Sequence, residues 1–161
     1  MFANGMIALD LQTFHQSREG GNVTGVIYVE LESGAYPEAS WSDFPVIILG
    51  WWAEALLQLE VPTRREVLWQ FMDGPQSLTL TKVNGAVSSG ALALSEVESS
   101  LLEAAGRVVA YCERHKMFSK DLEMLRVGAG RLKANQTVQR TGASRSAHIE
   151  IRPSVAAGSR R

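Results

Sequence analysis

The chain has 161 residues, 45% of them hydrophobic and 20% charged, with a formal net charge of −1. These are values of one ordinary globular domain, large enough to bury a core. A single cysteine, Cys112, excludes an internal disulfide framework and a cysteine-based zinc site, and it fits a reducing compartment. The opening MFANGMIALD has neither the basic start nor the long apolar core of a secretion signal. Residues 44–59 are too few for a membrane span and include Glu54, so a cytoplasmic chain with no membrane partner is expected.

Residues 6–14 alternate as a strand, with Ile7, Leu9 and Leu11 to one side and Asp10 and Gln12 to the other. A polar loop over 15–22, holding Gly20 and Gly21, leads into a second strand over 23–32. There Ile27, Val29 and Leu31 alternate with Tyr28 and Glu30, and the two strands predict a hairpin. A connection over 34–40, containing Tyr36-Pro37, delivers the chain to WSDFPVIILGWWAEALLQLE at 41–60, its densest apolar run. Ser42 or Asp43 is suited to cap a helix here. Pro45 falls in its first turn, where an N–H is not needed. Pro45, Ile48, Leu49, Trp52, Leu56 and Leu59 share one face at helical spacing, while Ile47, Trp51 and Leu57 crowd Glu54 and Gln58 opposite. So narrow a polar strip predicts a central helix between a sheet and further helices. Left partly exposed, Trp51 and its neighbours would instead form a partner-binding patch. Glu54, if buried, would need a partner, for which Arg64 or Arg65 is a candidate.

Val61-Pro62-Thr63 ends that helix, because proline disfavours helical geometry in the residue before it. Over 66–72, Val67, Trp69 and Phe71 oppose Leu68, Gln70 and Met72; with both faces apolar this reads as a central strand. After Asp73-Gly74-Pro75, residues 77–83 alternate Leu78 and Leu80 with Thr79 and Thr81. Asn84-Gly85 suits a tight type I′ turn, with a returning strand over 86–94. Ser95-Glu96-Val97-Glu98 matches a capping box opening an amphipathic helix marked by Val97, Leu101, Ala105, Val108 and Cys112. Ser119 can cap a shorter helix with Leu122, Leu125 and Arg126, which Gly128 and Gly130 interrupt or end. The expectation is one α+β domain over 1–135, with an antiparallel sheet of about five strands, ββαβββαα order and helices on one face. Residues 136–161, rich in Thr, Ser, Gly, Ala and Arg, read as a basic, weakly ordered tail in which only 147–151 has strand character.

Chemistry is sparse. His15, His115 and His148 have no partner at ligand spacing, so no metal site is expected, and His115 is well placed against a helix dipole. Cys112 falls on an apolar helix face, as a buried inert thiol does; a dyad with His115 has no supporting context. Gly128-Ala129-Gly130-Arg131-Leu132-Lys133 follows a helix and lacks the Gly-Lys-Ser/Thr ending of a phosphate loop. No Gly-x-Ser-x-Gly elbow occurs, and no cofactor is expected. Charge is uneven: residues 1–63 carry Asp10, Glu19, Glu30, Glu32, Glu38, Asp43, Glu54 and Glu60 against Arg18 alone. From Arg126 onward the bases are Arg126, Arg131, Lys133, Arg140, Arg145, Arg152, Arg160 and Arg161 against Glu150. No aromatic residue follows Phe118 to stack on bases, so the basic end reads as solubilising and nucleic acid is not an expected partner.

Tyr36-Pro37, Trp41, Asp43, Phe44, Leu49, Trp51 and Trp52 together make an aromatic-Pro stretch, then Trp-x-Asp-Phe, then Leu-x-Trp-Trp. This resembles a pattern in small bacterial proteins of unassigned function, some of which look like immunity proteins of polymorphic toxin systems. The resemblance covers roughly the first two-thirds of the chain; it implies structural residues at the helix start and no catalytic ones. With the acidic front half, it points to a non-enzymatic protein-binding domain, immunity-like, that docks a basic partner such as a nuclease toxin. The candidate contacts are Glu30, Glu32, Glu38, Asp43, Trp51 and Glu54. A structural or regulatory homo-oligomer, joined through Trp51 or the sheet, is the alternative. An enzyme using Glu54 or Asp43 as acid–base group is a third reading.

Overall fold

The computed structural model describes residues 6–84, 90–141 and 147–154. Strands β1 (Ile7–Gln16) and β2 (Val23–Leu31) pair antiparallel, Ile7 opposite Val29, as the alternation predicts. Two short strands, β3 (Gly34–Tyr36) and β4 (Ser42–Asp43), also pair with β2 and complete a first sheet. The turn into β3 requires Gly34, whose φ of +123° is closed to other residues.

Helix α1 (Pro45–Leu59) follows, with Pro45 in its first turn as expected. Its N-cap is Phe44 and no side chain caps it. Ser42 and Asp43 are both in β4 instead, and the Asp43 carboxylate bonds elsewhere. The remaining elements are β5 (Glu66–Gln70), β6 (Ser77–Lys82), β7 (Leu92–Ala93), α2 (Leu94–Arg114), α3 (Lys120–Thr141) and β8 (His148–Pro153).

The α+β class holds, but the strands form two four-stranded sheets rather than one of five. The cause is β8. It pairs antiparallel with β6, Leu80 opposite Ile151, and with β7, Leu92 opposite Ile149. The second sheet therefore runs β5-β6-β8-β7. The domain does not stop at residue 135: α3 continues to Thr141 and β8 lies inside a sheet. Buried Ile149 and half-buried Ile151 give β8 an apolar face that outweighs the polar composition around it. Residues 142–146 and 155–161 of the expected tail lie outside the described residues. So do 85–89, where the Asn84-Gly85 turn and the start of the returning strand were expected; the described remainder, β7, pairs with β8 and not β6.

β5 is an edge strand rather than a central one, because β6 has β8 on its other side. Val67 and Trp69 point inward, and so does Phe71 just beyond the strand, while Leu68 and Met72 are 45% and 41% exposed. The α2 capping box is also absent: Ala93 is the N-cap, without a side-chain bond, and Glu98 is buried. Ser119 does cap α3, its Oγ accepting from the Leu122 N–H at 3.1 Å. Gly128 and Gly130 do not interrupt α3, and a Cβ at Gly128 would lie 3.7 Å from the Ala53 Cβ of α1. That close crossing suits a glycine within the helix.

As the apolar run predicts, α1 is the centre of the molecule, packed by β2, β5, α2 and α3. Trp52 stacks on Trp69 with centroids 4.7 Å apart and planes at 7°, and its Nε1–H donates to the Gln70 carbonyl at 2.8 Å. The two sheets are tied by Tyr36, whose hydroxyl accepts from the Ser77 N–H at 3.1 Å.

Candidate functional site

The sequence-derived candidates separate into three places. Glu30 and Glu32 come together. Alternation in β2 turns Ile27 and Val29 inward and leaves Glu30 exposed at the strand's end, and the tight turn into β3 presents Glu32. Both line a cleft of about 430 Å³ between the end of β2 and the strands β7 and β8 of the other sheet. Met6, Leu31, Leu92 and Ile151 supply its apolar surface, and Glu150 and Arg152 of β8 stand on its far wall. Arg152 is engaged with Glu150, Nη2 to Oε2 at 3.1 Å. Gly90 borders Glu32, since a Cβ there would lie 3.5 Å from its Oε2. Three carboxylates from three segments thus meet one guanidinium at an opening with an apolar base. Such a site attracts a cation carried on an apolar stem, as in lysine or arginine.

Trp51 and Glu54 line a second groove, of about 420 Å³, between α1 and β5. Trp51 is 45% exposed, the partly exposed arrangement of that residue. Glu54 is not buried. It reaches Arg131 of α3 at 3.4 Å, both side chains more than half exposed, and neither Arg64 nor Arg65 is its partner. A pair so open to water contributes little stability.

Asp43 is no surface contact: it is 3% exposed. Its Oδ2 accepts from Trp41 Nε1 at 3.0 Å, the Met72 N–H at 3.1 Å and the Asp73 N–H at 3.2 Å. Its Oδ1 accepts from the Phe44 N–H at 2.8 Å. A carboxylate so saturated is a structural bolt between the start of α1 and the turn after β5. Glu38 is exposed in the β3–β4 connection and lines neither cavity.

Three features escaped the sequence. Glu150 joins the acidic cleft because β8 crosses the second sheet, which composition did not reveal. Leu68 is exposed because β5 lies at an edge. Glu98 is 1% exposed, and the signal for it was present: Leu94, Glu98, Leu101 and Ala105 share a helix face. Burial, then the neighbouring Glu60, pushes Glu98 up to about 8. Cys112 is buried as its helix face predicts, and burial pushes its thiol up to about 11, so it holds its proton at neutral pH and is a poor nucleophile.

Among the described residues no three His, Cys, Asp or Glu side chains gather as a metal site would, and no helix is long and apolar enough to cross a membrane. Neither a scan of protein-family models nor searches of curated proteins and of solved structures finds a match to this chain.

Proposed function

We propose that the protein is a non-enzymatic binding domain that receives a basic segment of a partner protein in the cleft lined by Glu30, Glu32 and Glu150. The observation that carries this reading is the convergence of those carboxylates, from β2, the β2–β3 turn and β8, over an apolar base. Arg152, the one basic side chain among the described residues of its wall, already faces Glu150. A negative opening of this kind accelerates encounter with a basic surface and gives the complex a steep salt dependence. An immunity-like role, in which the bound surface is the basic active region of a toxin, is the version that the Trp-x-Asp-Phe and Leu-x-Trp-Trp resemblance supports.

The test is calorimetric titration with an Arg/Lys-rich peptide carrying leucine at alternate positions, at low and moderate salt. Wild type is expected to bind, and the double variant Glu30→Lys/Glu32→Lys to lose at least tenfold in affinity, about 1.4 kcal/mol. Equal affinity of wild type and variant overturns the assignment.

A further inference from the structure

The groove between α1 and β5 shares no residue with the acidic cleft, and its chemistry differs. β5 ends its sheet, with β6 on one side and no strand on the other among the described residues. The ladder shows which backbone groups are unpaired. The Lys82 N–H donates to the Arg65 carbonyl at 2.9 Å and the Phe71 N–H to the Gln76 carbonyl at 3.1 Å. Hydrogen-bonded pairs alternate along an antiparallel ladder, so Arg65, Val67, Trp69 and Phe71 face β6. Glu66, Leu68 and Gln70 therefore turn their N–H and C=O groups outward. The Trp52 bond to the Gln70 carbonyl confirms that direction and occupies one of these acceptors, leaving Glu66 and Leu68 open.

Edge strands are normally blunted by lysine, proline, a bulge or very short length. β5 is five residues, EVLWQ, with none of these; its protection is confined to its two ends, the Glu66 charge at the first residue and the Trp52 bond at Gln70, and leaves Leu68 uncovered. The comparable edges are protected: β7 is two residues long, β1 is irregular between Asp10 and His15, and the Ile7 N–H at its start is taken by Ser100 Oγ at 3.3 Å. Two exposed apolar side chains, Trp51 and Leu68, line the groove beside β5, and Met72, two residues beyond the strand, is exposed as well.

We infer that β5 pairs antiparallel with β5 of a second copy of this chain, joining the two second sheets across a two-fold axis through Leu68. Two observations select a second copy over a charged partner. The groove's charged side chains are Glu54, Glu66 and Arg64, with Arg131 against Glu54, so acids and bases balance and no net charge selects a basic or an acidic strand. The register is also self-complementary. Centred on Leu68, the pairing sets Leu68 against its copy in a doubly hydrogen-bonded pair and Glu66 against Gln70, whose carbonyl offers its second lone pair beside the Trp52 bond. Centred on Glu66, it would set like charges face to face, which is unfavourable. Contacts of this kind are isologous and close as a dimer.

The test is light scattering coupled to size exclusion over a range of concentration, with two variants. Wild type is expected to approach twice its 17.6 kDa as concentration rises. Leu68→Lys, at an exposed position, is expected to keep the wild-type circular dichroism and melting profile and to remain at the monomer mass. Leu68→Cys is expected to form a disulfide-linked dimer under mild oxidation, since a paired strand places the two Cα atoms within disulfide range. Phe118→Cys, on the exposed α2–α3 connection, serves as the control and is expected not to link. A wild type that stays monomeric at every concentration overturns the inference and leaves the edge to a different strand. So does a dimer that survives Leu68→Lys, or Leu68→Cys linking no faster than the control.

Discussion

Glu98 of α2 sits beside Glu60, at the C-terminal end of α1, in the interior, and burial first, then Glu60, holds the Glu98 carboxyl up to about 8. The Oε1 atoms of both are buried without a hydrogen-bond partner among the described residues, so a proton kept on Glu98 spares the interior a second negative charge. Asn135 of α3 donates to Glu60 Oε2 at 2.9 Å. Lys82 is near Glu60; burial and then Arg65 lower its pKa, and Glu60 opposes them.

This junction predicts an unusual pH profile. Between the ordinary carboxyl value of 4.5 and about 8, the folded protein holds a proton that the unfolded chain has released. Unfolding free energy therefore falls as pH rises through that window and levels off above it. Glu98→Gln, which keeps a donor toward Glu60, is expected to flatten the slope and to be more stable than wild type at the alkaline end, by about 1–3 kcal/mol. Urea denaturation at a series of pH values checks it. A wild-type stability that climbs across the window contradicts a Glu98 carboxyl that keeps its proton in the fold.

Asp43 predicts a second effect. Replacement by alanine leaves the part-buried Trp41 Nε1 and the N–H groups of Phe44, Met72 and Asp73 without their acceptor. The expected loss is about 2–4 kcal/mol, the scale of unsatisfied buried donors. Asp43→Asn is expected to fall near it, because an amide nitrogen turned toward those donors cannot accept. If Asp43 were a partner contact rather than a bolt, both variants would melt as wild type does.

Two glycines predict opposite signs. A Cβ at Gly106, within α2, would meet nothing within 4 Å, so Gly106→Ala is expected to stabilise by about 0.5–1 kcal/mol through reduced chain entropy. A Cβ at Gly25, in β2, would lie 2.4 Å from the Phe14 ring. Gly25→Ala is expected to destabilise by about 1–3 kcal/mol. Thermal melts of the two variants against wild type separate the cases.

Local pattern carried much of this fold. The β1–β2 hairpin, the start of α1 at Pro45, the Ser119 cap and the burial of Cys112 are written in runs of neighbouring residues. What escaped is non-local. β8 owes its place to contacts with β6 and β7, strands distant in sequence, and its arrival moved β5 to an edge and exposed Leu68. Glu98 was assigned to a cap because Ser95 precedes it, although its helix face is apolar; tertiary packing overrode the local motif. At the candidate site the acids Glu30 and Glu32 were legible as exposed ends of an alternating strand. Their companion Glu150 was not, and Asp43 was misplaced because a free N-cap and a buried bolt look alike in sequence.

The most direct measurement of the acidic cleft is a backbone amide chemical-shift titration with the Arg/Lys-rich peptide, read residue by residue. The largest shifts are expected at 30–33, 90–92 and 150–152, shrinking as salt rises, and absent in Glu30→Lys/Glu32→Lys. Shifts spread evenly over Asp10, Glu38, Glu54 and Glu66 as well, or confined to β5, would contradict a binding cleft at the junction of the two sheets.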